Sequence, residues 1–91
     1  MLFLICYDIA DDRTRNGMAN HLLDFGARVQ ESVFEALLDE PLYRRMLHGI
    51  ERVVFSPEDR IRVYQVCATC ARSVLIMGPA AEQPAPDFYL I

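Results

Sequence analysis

Hydrophobic and polar positions change period several times along this chain, and each change marks an element. Leu2–Cys6 is an unbroken apolar run stopped by Tyr7 and Asp8. Its length predicts a strand buried on both faces. Met18, Leu22 and Phe25 then recur at i, i+4 and i+7, widened by Ala19 and Leu23. That stripe predicts a first helix, capped by Asp11 or Asp12 and closed by Gly26 as a C′ glycine. Arg28–Gln30 and Ser32–Leu38 predict a hairpin with Glu31 at its bend. Asp39 and Glu40 followed by Pro41 start a second helix, because proline is tolerated only in the first turn. Its apolar positions are Leu42, Met46, Leu47, Ile50, Val53 and Val54. Gly49 interrupts it at a cost of roughly 1 kcal/mol relative to alanine and points to a close approach there. Ser56–Asp59 reads as a turn, and Arg60–Val66 alternates as a half-exposed strand does. Val74–Met77 predicts a further short strand closed by Gly78–Pro79. Residues 79–86 (PAAEQPAP) read as an extended linker, and 87–91 (DFYLI) turn apolar again.

The order β-α-β-β-α-β predicts an α+β fold, the ferredoxin-like split βαβ arrangement, over residues 1–78. Residues 79–91 are expected to add a C-terminal strand that docks on a dimer partner. In this fold both helices cover one sheet face and the first strand is central. A central Leu-Phe-Leu-Ile-Cys strand therefore puts bulky groups on the uncovered face too, each forfeiting roughly 1.5–3 kcal/mol if left in water. Chain size sharpens the point. A chain of 91 residues is marginal as a lone core, yet 53% of its residues are hydrophobic. Packing of two sheets across a two-fold axis, a homodimer, is the economical solution.

Charge changes the picture less than its sign suggests. The net charge is −4, a poor prior for non-specific nucleic-acid binding. All nine basic residues are arginine, however, the better bidentate phosphate ligand. Three cysteines without framework spacing, and an apolar start that meets Asp8 too early for a membrane span, predict a cytoplasmic protein with no membrane association.

Asp8 is the first candidate for chemistry, since an acid is seldom placed at the end of a buried strand for stability. Spacing alone fits a helix cap or an arginine partner equally well. In a dimer two copies of Asp8 can face each other, and two close carboxylates need a proton or a cation between them. A hard ion such as Mg²⁺ suits such oxygens. Arg13 and Arg15 stand in the first helical turn, where anions are favoured, although Asp11 and Asp12 point instead to salt bridging. Arg28, Arg60 and Arg62 fit either a phosphate-contacting stripe or an ordinary solvated face. Cys67 and Cys70 form a C-x-x-C with no second pair, which favours a structural role over zinc. His21 and His48 are expected to be exposed helix residues.

Tyr7-Asp8-Ile9, then Asp11-Asp12 with Arg15-Asn16, then Gly26-x-Arg28-Val29-Gln30-x-Ser32-Val33-Phe34-Glu35 resemble the CRISPR-associated protein two (Cas-two) family, over about residues 1–78. The resemblance implies a ferredoxin-like homodimer with exchange of its C-terminal segments and a role in spacer acquisition. There the dimer bridges Cas-one integrase dimers and holds double-stranded prespacer DNA by its backbone. It also implies the alternative activity of some members, an Mg²⁺-dependent endonuclease on RNA or DNA. In that case the position matching Asp8 is the catalytic metal ligand, with Arg15, Arg28 and Phe34 in support and Tyr7 flanking. Arg13 and Ser32 complete the candidate set, Arg13 for nucleic acid and Ser32 in support. Gly17 stands where the family often carries a basic residue. A third reading, a ligand-sensing regulatory module, is permitted by the fold but has no motif.

Overall fold

The computed structural model describes residues 1–53 and 55–73. The expected strand at Val74–Met77, the linker over 79–86, the tail over 87–91 and Val54 lie outside them. The elements run β1 (Leu2–Asp8), α1 (Asp12–Leu23), β2 (Ala27–Gln30), β3 (Val33–Leu37), α2 (Glu40–Glu51), β4 (Arg60–Val66) and α3 (Ala68–Arg72). The first six give the expected βαββαβ order. They form one four-stranded sheet, β2-β3-β1-β4, with every neighbouring pair antiparallel. β1 is central, as its apolar run requires.

Each helix starts where a carboxylate can satisfy orphan N–H groups. Asp11 Oδ2 accepts from Thr14 N at 2.8 Å, and Asp39 Oδ1 accepts from Leu42 N at 3.0 Å, with Pro41 in the first turn of α2. Both helices lie on one face of the sheet. Phe3, Ile5 and Tyr7 of β1 and Phe34 and Ala36 of β3 meet Met18, Ala19 and Leu22 of α1 and Met46 and Ile50 of α2. The Phe3 and Tyr43 rings stack with centroids 4.1 Å apart.

The other face of the sheet is different. Register puts Leu4, Cys6 and Asp8 there, beside Val33, Glu35 and Leu37 of β3 and Arg60, Arg62, Tyr64 and Val66 of β4. No described element covers it, so Leu4 and Cys6 are only half-buried, and Leu37 and Tyr64 stay 47% and 45% exposed. Within one protomer β1 is thus buried on one face and half-open on the other.

Three local expectations need correction. Leu23 is exposed, because the helix turns it away from the Met18–Leu22 stripe. Gly26 is no left-handed cap: α1 closes at Asp24, and a Cβ on Gly26 would overlap the Glu35 carbonyl oxygen. Glycine is required there because the chain runs hard against the backbone of β3. His21 is half-buried rather than exposed. Its Nε2 donates to the Met46 carbonyl at 2.9 Å, and its ring meets Phe25 edge-on. The close approach expected at Gly49 is to this ring, which a Cβ there would overlap.

Candidate metal and nucleic-acid site

Asp8 ends β1 on the open sheet face and is exposed. Its register partner across β4 is Arg60, and Cys6 stands opposite Arg62. These residues and the Tyr7 backbone region line a hollow of about 310 Å³. Arg62 Nη1 donates to the Tyr64 hydroxyl at 3.3 Å, a bond that holds the guanidinium above its ordinary value. Among the described residues the ion pairs are Arg15–Asp12 and Arg44–Glu40, so neither arginine of the hollow is neutralised by Asp8. Two guanidiniums beside one carboxylate make a place for an anion such as a phosphate.

The loops on either side are pinned. Arg15 Nη1 donates to the carbonyls of Ile9 (2.9 Å) and Ala10 (3.3 Å), and Nη2 bonds Asp12. Asp59 accepts from Ala10 N through Oδ1 at 3.3 Å and from Ser56 N through Oδ2 at 2.9 Å. The chain leaving Asp8 and the turn entering β4 therefore share one carboxylate.

The remaining sequence-predicted residues are not gathered around Asp8. Tyr7 points the other way, into the core; its hydroxyl donates to the Glu31 carbonyl at 3.3 Å and its ring lies 6.2 Å from that of Phe34. Phe34 is fully buried, and the Arg28 guanidinium lies 5.2 Å over its ring. Ser32 sits in the β2–β3 turn, where its carbonyl accepts from Tyr7 N at 3.1 Å. Arg13 opens onto a separate cleft between α1 and α2.

A divalent ion needs more than one protomer offers. No three His, Cys, Asp or Glu side chains converge among the described residues. Asp8 alone, flanked by two cations, does not fit such an ion; a second oxygen donor set would have to come from outside the protomer. Cys67 and Cys70 are free and exposed at the start of α3, an element the sequence reading missed. Their mutual hydrogen bonding holds the Cys67 thiol below its ordinary value and pushes that of Cys70 up. Glu35 was also missed. Burial on the open face raises its carboxyl, and Oε2 has no hydrogen-bond partner among the described residues.

Comparison with known proteins shows the family of the chain. Residues 1–74 fit the family described as CRISPR associated protein Cas2. The chain belongs to the Cas2 family. It is 39% identical over 89 residues to CRISPR-associated endoribonuclease Cas2 4 of Rhodospirillum rubrum, covering 98% of this chain and 72% of that protein. The crystal structure of Streptococcus pyogenes Cas2 superposes with a TM-score of 0.74 at 26% identity, over 86% of this chain and 100% of that one. A chain of a partial Cas6-RT-Cas1–Cas2 complex gives 0.63 at 29% identity, over 93% of this chain and 95% of that one. Among the described residues of this Cas2-family chain, no helix is long and apolar enough to cross a membrane.

Proposed function

We propose that this Cas2-family chain acts as a homodimeric subunit of CRISPR adaptation, bridging copies of a Cas1 integrase and holding prespacer DNA by its backbone phosphates. The open sheet face carries this reading. Leu4, Val33, Leu37 and Tyr64 present apolar surface that one protomer leaves partly wet, and a second copy packed there would remove it from water. Such packing would bring two Asp8–Arg60 ends together on one side of the assembly. The tail beyond residue 78 is assigned to the partner's sheet in the same arrangement. Similarity to a chain found with Cas1 supports the choice of partner.

A second reading, an endoribonuclease, is favoured by the exposure of Asp8 in a hollow whose two guanidiniums suit a phosphate, and by the printed name of the Rhodospirillum relative. It requires Mg²⁺ held by Asp8 of both protomers, where the ion would supply an activated water for phosphodiester attack. One protomer does not complete that site, so no catalytic step is assigned to it.

The deciding experiment is co-purification with a Cas1 integrase, with and without a short DNA duplex, for the wild-type chain and Asp8→Ala. A dimer at micromolar concentration that retains Cas1, with spacer acquisition unaffected by Asp8→Ala, is expected. A monomer that retains no Cas1 overturns the first reading. Chelator-sensitive cleavage lost in Asp8→Ala establishes the second.

A further inference from the structure

We infer that the cleft between α1 and α2 is a second phosphate-binding surface, on which a nucleic-acid strand lies with its backbone against Arg13, Arg45 and Arg52. The cleft encloses about 670 Å³ and opens on the helical side of the molecule, away from the sheet face that carries Asp8. Arg13 comes from α1, Arg45 from α2, and Arg52 caps the end of α2. His21 and His48 line the same walls, and Asp24 is the single acid among the lining residues.

The arginines of the two helices differ in their pairing. Arg44, next in sequence to Arg45 but outside the cleft, is paired with Glu40 at 2.8 Å. The three cleft arginines have no ion-pair partner among the described residues, in a chain whose net charge is −4. Gly17 offers a probe of the cleft. It sits inside α1 on the cleft wall, and a Cβ there would meet nothing within 4 Å. Alanine would fit and would strengthen the helix. Packing therefore does not require this glycine, and a side chain placed there would stand in open space on the cleft wall. Length separates a strand from a lone phosphate. The lining runs from Arg13 to Asp24, three turns of α1, and so spans more than one phosphate of an extended backbone.

This inference deepens the nucleic-acid part of the proposal above, and its test involves neither Cas1 nor Asp8. Binding of the full-length chain to labelled mixed-sequence oligonucleotides, single-stranded and duplex, is followed by fluorescence anisotropy across a salt series. Removing two phosphate contacts in an Arg45→Ala/Arg52→Ala variant should flatten the slope of log K against log salt by roughly 1.4–1.8. Arg44→Ala should behave as wild type. Gly17→Arg should tighten binding and steepen the slope, and Gly17→Glu should weaken it. Both replace a helical glycine in open space, so a folding defect would not mimic the result, and thermal melting checks this. Identical slopes for the double variant and Arg44→Ala overturn the inference, as does wild-type binding weaker than about 100 μM at low salt. Displacement of the oligonucleotide by an equimolar mononucleotide overturns the strand assignment. Normal Cas1 retention with a flat response at Arg45 and Arg52 defeats this inference alone; lost Cas1 retention with intact cleft binding defeats only the earlier reading.

Discussion

Replacing Gly49 by alanine adds one methyl group where α2 passes the His21 ring. In a helix with free space this change stabilises by about 0.8–1.0 kcal/mol. Here the new Cβ overlaps the imidazole, so the ring must swing out. That movement breaks the hydrogen bond from Nε2 to the Met46 carbonyl. Such a bond contributes about 0.5–1.5 kcal/mol net. The edge contact with Phe25, centroids 5.1 Å apart, is lost as well. An aromatic pair of this kind contributes about 0.5–1.5 kcal/mol. The loss outweighs the helix gain, and Gly49→Ala should destabilise by about 1 kcal/mol. With His21→Ala already in place the obstacle is gone, and the same substitution should stabilise by about 1 kcal/mol. The sign reverses between backgrounds, and the coupling energy is about 1–3 kcal/mol. Urea unfolding of the four proteins at one fixed concentration measures it, since association makes apparent stability concentration-dependent. Effects of Gly49→Ala that agree within about 0.5 kcal/mol in the two backgrounds would refute the reasoning.

Three further outcomes are expected. Burial raises the Glu35 carboxyl, so its penalty is fully present above the raised value and absent below its ordinary value of 4.5. Glu35→Gln should therefore be more stable than wild type near neutral pH and lose that advantage as the pH falls through the raised value towards the ordinary one; an advantage independent of pH contradicts this. Arg15→Ala should destabilise by about 1 kcal/mol in urea unfolding and speed amide exchange after β1. Arg15→Lys should not rescue it, because one ammonium cannot reproduce the guanidinium fork that spans two carbonyls and Asp12. Partial alkylation with iodoacetamide should label Cys67 before Cys70, as its thiol is the one held low; equal rates by mass spectrometry would count against the Cys67–Cys70 hydrogen bonds.

Element order was legible because each element has its own period: the run in β1, the i, i+4 stripes of the helices, the alternation in β4. Cap residues were legible because Asp11, Asp39 and Pro41 act within one turn of themselves. What escaped depends on groups distant in sequence. Gly26 looked like a helix terminator because the backbone that excludes its Cβ belongs to Glu35 and Ala36. His21 looked exposed because its partner is a main-chain carbonyl at Met46, visible only once the helices pack. The setting of Asp8 needed the β1–β4 register, which hydropathy does not supply. The cleft was different, for its signal was present. Arg13, Gly17, His21 and Asp24 step by four, four and three, and Arg45, His48 and Arg52 by three and four. Those are helical stripes of polar residues, passed over because only apolar stripes report the core. α3 is five residues long, too short for any period to show.

Asp59 also constrains engineering of the molecule. Because its two oxygens grip Ala10 and Ser56, the spans 9–11 and 56–59 are tied to each other. A graft or deletion in either one is transmitted to the other, and Asp8 and Arg60 sit just inside the two ends that would move. Protein engineers can expect insertional tolerance to vanish on this rim of the molecule, even though both segments lie at the surface.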